Sequence, residues 1–116
     1  MVSPLDDLDL TQAHAYALQP ADLLELLATV EASLAVSVNV LSSPSSWPDL
    51  QRALHDLNGY LGLVASTDLT QLIQEADLAA RHGDEARCRH LLLPLVPRLE
   101  HLRSSVQVYR TGIIGN

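Results

Sequence analysis

From Leu23 to Leu41, apolar residues recur at spacings of three and four: Leu23, Leu26, Leu27, Val30, Leu34, Val38 and Leu41. That rhythm keeps one apolar stripe on a helix. Pro20 suits the first turn, where its missing N–H costs little. Val36-Ser37-Val38-Asn39-Val40 alternates like a strand, but it continues the longer pattern and is read as helix. A short leading segment, Asp6 to Leu18, precedes it and ends at Gln19-Pro20.

Ser42-Ser43-Pro44-Ser45-Ser46 is a turn cluster. Ser46 then caps a second helix, with Trp47, Pro48 and Asp49 in its first turn and Leu50, Ala53, Leu54, Leu57, Leu61 and Val64 as its apolar set. Ser66 or Thr67 caps a third helix carrying Leu69, Leu72, Ile73, Ala76 and Ala80, which Gly83 stops. Asp84 caps a fourth through Leu91, Leu92, Leu95, Leu99, Leu102, Val106 and Tyr109. Pro94 and Pro97 each remove a backbone hydrogen bond, so this helix is expected to kink or break near residues 93–97. The tail from Gly112 to Asn116 reads as frayed. The expected fold is all-α: an antiparallel four-helix bundle with a short extra N-terminal helix, a single domain over 1–116 with its core at about 20–109.

Composition supports that class. The chain has 116 residues, 47% of them hydrophobic, yet only 3% aromatic and with no Phe, so Leu, Val and Ala must fill the core, which suits helices better than strands. The net charge is −7, and all seven basic residues are Arg. Duplex binding relies on Lys and Arg neutralising phosphates, so nucleic acid is not an expected partner, and neither is an anionic membrane surface. A lone Cys88 rules out an intrachain disulfide and points to a reducing compartment. No signal-peptide pattern is visible at the N-terminus. Glu25, Glu31 and Asn39 interrupt the most apolar stretch too often for a bilayer span. The expectation is a cytoplasmic monomer.

The second helix carries the candidate chemistry. On a helical wheel Leu50, Ala53, Leu57, Tyr60, Leu61 and Val64 group on one side, with Leu54 at its edge, and Gln51, Arg52, His55, Asn58, Gly59, Gly62 and Ser66 group on the other. His55 is therefore expected to face outward. Glycine within a helix costs about 1 kcal/mol relative to Ala, so Gly59 and Gly62 on the His55 side need a reason. Lacking side chains, they would let another molecule approach the ring. Arg52, Asn58 and Gln51 could offer N–H donors to an anion held there. A neutral imidazole keeps a lone pair on one ring nitrogen, which can attack an activated phosphoryl group.

Leu54-His55-Asp56-Leu57-Asn58-Gly59, with Arg52 before it and Gly62 and Ala65 after it, resembles the phosphoacceptor helix of histidine-containing phosphotransfer (HPt) domains. In that family a small or apolar residue is followed by His, any residue, Leu, Lys and Gly. Leu72 to Ala80, then His82-Gly83-Asp84 and a Leu-rich helix, resemble the family's next two helices, so the likeness spans residues 20–109. It implies that His55 accepts a phosphoryl group from a receiver-domain aspartate and passes it to another receiver, with no catalytic turnover of its own. It also implies docking on the His-bearing helix and its neighbour, with Gly59, Gly62, Leu63 and Ser66 where the partner approaches. No resident cofactor is implied, because the receiver supplies Mg²⁺. The family's Lys is Asn58 here, which donates but carries no charge. That leaves open weaker stabilisation of the phosphorylated state, greater dependence on Arg52, or a degenerate adaptor that binds receivers without transfer. An obligate helical oligomer is a further alternative.

Other candidates are weaker. His90 and His101 lie roughly 16 Å apart along a straight helix, and no His pair has the one-turn spacing of a helical zinc motif, so no metal site is expected. Cys88, between Arg87 and Arg89, is read as a small helical residue near a turn; a thiol activated by its neighbours is the alternative. Trp47 and Pro48 are expected to fix the chain's entry into the second helix, or else to join Leu63 in an apolar docking rim.

Overall fold

The computed structural model describes residues 7–43 and 45–115; Asp6, Pro44 and Asn116 lie outside the described residues. The described chain is mostly helical: α1 (Thr11–Tyr16), α2 (Pro20–Ser42), α3 (Trp47–Tyr60), α4 (Thr67–Arg81), α5 (Glu85–Leu92) and α6 (Leu95–Gly115), with a 3-10 turn, Leu61–Leu63, after α3.

Local chemistry sets these boundaries. Pro20 is in the first turn of α2. The Ser46 hydroxyl accepts from the Asp49 N–H at the start of α3 (3.3 Å), and Ser66 accepts from Leu69 at the start of α4 (3.2 Å). Gly83 ends α4 with φ +74°. Its N–H bonds the Ala80 carbonyl, and the next N–H, from Asp84, bonds the Ala79 carbonyl, so the last carbonyls of α4 are satisfied. The Asp84 side chain then caps α5 through Arg87 N–H at 3.2 Å.

The prolines break the last expected helix into two. The break falls at 93–94, and α6 starts at Leu95. Pro97 is the third residue of α6, where an N–H would have no intrahelical partner. The tail expected to fray is helical through Gly115.

The core is aliphatic. Leu27, Leu34, Leu54, Leu57, Leu69, Ile73, Leu99, Leu102 and Val106 are fully buried in one cluster. Helix α2 packs against α6 and α3, α3 also packs against α4, and α4 against α5. Arg110 of α6 closes the α2 contact by reaching Glu31 through Nη2 at 2.7 Å. Ahead of α1 the chain is strapped to the α3–α4 connection: Leu8 pairs with Ala65 as an isolated β-bridge, and Asp9 N–H reaches the Val64 carbonyl at 2.8 Å.

One expectation needs correction. By length and composition, α2 is apolar enough to cross a membrane despite its interruptions, with a mean hydropathy of 1.6 over its best window. The reason is its outward side, where Ala28, Ala32, Ala35 and Val36 stand in place of charges. Its inner stripe, Leu23, Leu27, Val30, Leu34 and Val38, is buried in the core, as in the core helix of a globular domain.

Candidate functional site

Helix α3 sorts its residues as an amphipathic helix should. Leu50, Ala53, Leu54 and Leu57 are buried, and His55 is exposed. One flank of the His55 stripe faces α4. Gln51 and Asn58, four residues before and three after His55, both donate across to that helix. Gln51 Nε2 bonds the Ala80 carbonyl at 2.9 Å, and Asn58 Nδ2 bonds Asp77 Oδ2 at 3.1 Å. Two of the expected phosphate donors are thus engaged with α4 in this structure, because their flank is a helix contact and not open surface. The other flank carries Arg52 and Gly59, both exposed.

A β-carbon added at Gly59 or Gly62 would meet nothing within 4 Å, so no packing among the described residues requires either glycine. Gly59 lies within α3. Gly62 lies in the 3-10 turn, where the tighter winding shifts it off the wheel position expected for a continuous α-helix. It lines a polar hollow of about 450 Å³ with Asp9, Thr11, Thr70 and Gln74 among others.

Two expected contact residues are less available than the sequence suggested. Leu63 is half-buried against the core. The Ser66 hydroxyl caps α4 and also donates to Asp7 Oδ1 at 3.2 Å. Trp47 packs against the core while Pro48 is exposed, in keeping with a role at the entry to α3.

Sequence reading missed Asp77, Arg81 and Val36. Asp77 is 2% exposed. Arg81, one turn later, places Nε 3.6 Å from the same Oδ2 that Asn58 uses. Asp77 Oδ1 and Asn58 Oδ1 are buried with no partner among the described residues. The available signal was an acid on the apolar stripe Ile73–Asp77–Ala80, with an arginine four residues on. Val36 is 66% exposed and, with Ala32, Asp56 and Tyr60, lines a shallow hollow of about 530 Å³ between α2 and α3. Tyr60 shares a 3.1 Å hydrogen bond with Ser37; burial, helped by the Asp56 charge, pushes its phenol above the usual range.

The remaining candidates have other surroundings. Cys88 is fully buried, and burial pushes its thiol up, outweighing the nearby Arg89. Among the described residues, no group of three or more His, Cys, Asp or Glu is placed to hold a metal ion. No family model, curated protein or solved structure matches the chain.

Proposed function

We propose that this protein is a phosphotransfer domain whose helices α2, α3, α4 and the α5–α6 pair act as an antiparallel four-helix bundle, with His55 as phosphoacceptor. The observation that carries the reading is an exposed imidazole in the middle of α3, followed one turn later by Gly59, a glycine no internal contact requires. In the transfer, the ring nitrogen with the lone pair attacks phosphorus. The P–N bond forms as the P–O bond to a receiver aspartate breaks, and the carboxylate leaves with the electron pair. The proton on the other ring nitrogen stays. A second receiver takes the group by the reverse step. Such a transfer needs in-line approach and charge stabilisation more than a deep pocket.

The receiver would dock over α3 and α2, where Asp56, next to His55 in α3, opens onto the hollow it shares with Val36, an apolar margin. Arg52, exposed on the Gly59 flank, is the α3 residue free to meet the phosphate. Mg²⁺ belongs to the receiver, and the setting is the cytoplasm, with the domain acting as a monomer. The test is transfer of label from receiver domains charged with radiolabelled acetyl phosphate. Wild type is expected to take up acid-labile label and His55→Gln none; equal labelling of the two would end the proposal.

A second reading has one observation behind it. Asn58, where the family has Lys, is uncharged and its amide is engaged with Asp77. A docking adaptor that has lost transfer would bind receivers yet show no phosphohistidine with any donor.

A further inference from the structure

Helix α3 itself supplies no cation on the α4 side of His55. The stripe Gln51–His55–Asn58 has its two outer members tied to Ala80 and Asp77, so His55 lies between two contacts to the last turn of α4. That turn ends in Arg81, whose side chain is 62% exposed. Arg81 comes closest to Asp77 through Nε, at 3.6 Å, an ion pair too long for a hydrogen bond. No nitrogen of its guanidinium approaches Asp77 more closely than that. Asp77 is buried, anchored by Asn58 and left with a bare Oδ1. It holds the arginine by a loose ion pair and takes no hydrogen bond from the guanidinium fork that suits a phosphate.

We propose that Arg81 supplies the positive charge for a phosphoryl group arriving at His55, and that Asp77, fixed by Asn58, is the positioning residue that holds Arg81 at the α3–α4 seam. The role of the family's Lys thus passes to the neighbouring helix, and Asn58 acts through Asp77. This inference rests on His55 being the phosphoacceptor.

The experiment uses potassium phosphoramidate as a small-molecule donor with the full chain. The donor's P–N bond breaks, ammonia leaves with the electron pair, and a P–N bond forms on the ring. Arg81→Gln is expected to slow labelling of His55 roughly fivefold, the size of losing one charge-assisted contact at a partly screened position. Arg81→Lys should restore part of the rate, and Arg87→Gln, which removes an exposed charge on α5, should leave it unchanged. Added salt should slow wild type more than Arg81→Gln. Asp77→Asn should alter the rate in wild type but not in the Arg81→Gln background, since it acts through that arginine. Thermal melts show whether each variant is folded. Labelling of His55 at the same rate in wild type and folded Arg81→Gln would overturn the inference while leaving the phosphoacceptor assignment standing. No labelling of His55 in any variant would remove the assignment itself.

Discussion

Two arginine–aspartate clusters sit at opposite ends of α4, and they are built differently. At the start of the helix, Arg98 grips Asp7 with two bonds, Nε to Oδ2 at 3.1 Å and Nη2 to Oδ1 at 2.7 Å, and also reaches Asp68 at 3.0 Å. Ser66 adds its hydroxyl to Asp7. These bonds hold the Asp7 carboxyl below the usual range and push the Arg98 guanidinium further up. At the far end, Asp77 receives one amide and a loose arginine on a single oxygen, and two buried oxygens have no partner among the described residues. A carboxylate gripped through both oxygens staples the N-terminal strap and α6 to α4. One with spare acceptor capacity contributes less to folding, since buried polar groups are normally paired. Under the role proposed for His55, such under-use would leave charge for a ligand, and the far cluster is tied to α3 through Asn58, three residues from His55.

Core truncation sets the scale for stability. Leu57→Ala removes a fully buried side chain and is expected to cost about 2 to 5 kcal/mol in chemical denaturation. Breaking the stapled cluster comes next: Arg98→Ala is expected to cost about 1 to 2 kcal/mol, between the values for surface and buried pairs. The pH dependence sharpens this. Because the Asp7 carboxyl is lowered by folding, its contribution is present above the ordinary carboxylate range and is lost as pH falls through the folded value. The gap in thermal midpoint between wild type and Asp7→Asn should therefore be widest near neutrality and close below about pH 4. A gap that holds at low pH would mean the cluster acts through shape and not charge.

The smallest effects fall on the His55 side. Gly59→Ala should raise stability by about 0.5 to 1 kcal/mol, since the new methyl meets open space within a helix, while slowing transfer from a receiver. His55→Ala should stay within about 0.5 kcal/mol of wild type. A destabilising Gly59→Ala, or a His55→Ala as costly as Leu57→Ala, would show that the outward face of α3 has been misassigned.

What could be read from the chain was local. Ser46, Ser66, Gly83 and Asp84 announce helix ends because capping is settled within a few residues, and Pro94 with Pro97 announces the break before α6. The inward and outward sides of α3 followed from periodicity alone. The neighbours of each flank did not: a wheel gives an angle, not the helix that lies there, so Gln51 and Asn58 read as free donors when α4 takes both. Gly62 is a similar case. The chain tightens into a 3-10 turn after Tyr60, and just beyond it Ala65 pairs with Leu8, a contact between distant parts of the chain that no local pattern announces. Asp77 was passed over because an acid on an apolar stripe declares its purpose only once its partners are known.

The most direct measurement is phosphorus NMR of the full chain treated with phosphoramidate, with the modified residue mapped by peptide fragmentation. The expected result is a single phosphohistidine on His55, absent from His55→Gln. A spectrum without phosphohistidine, or label on His14, His82, His90 or His101 while His55 stays unmodified, would contradict the account.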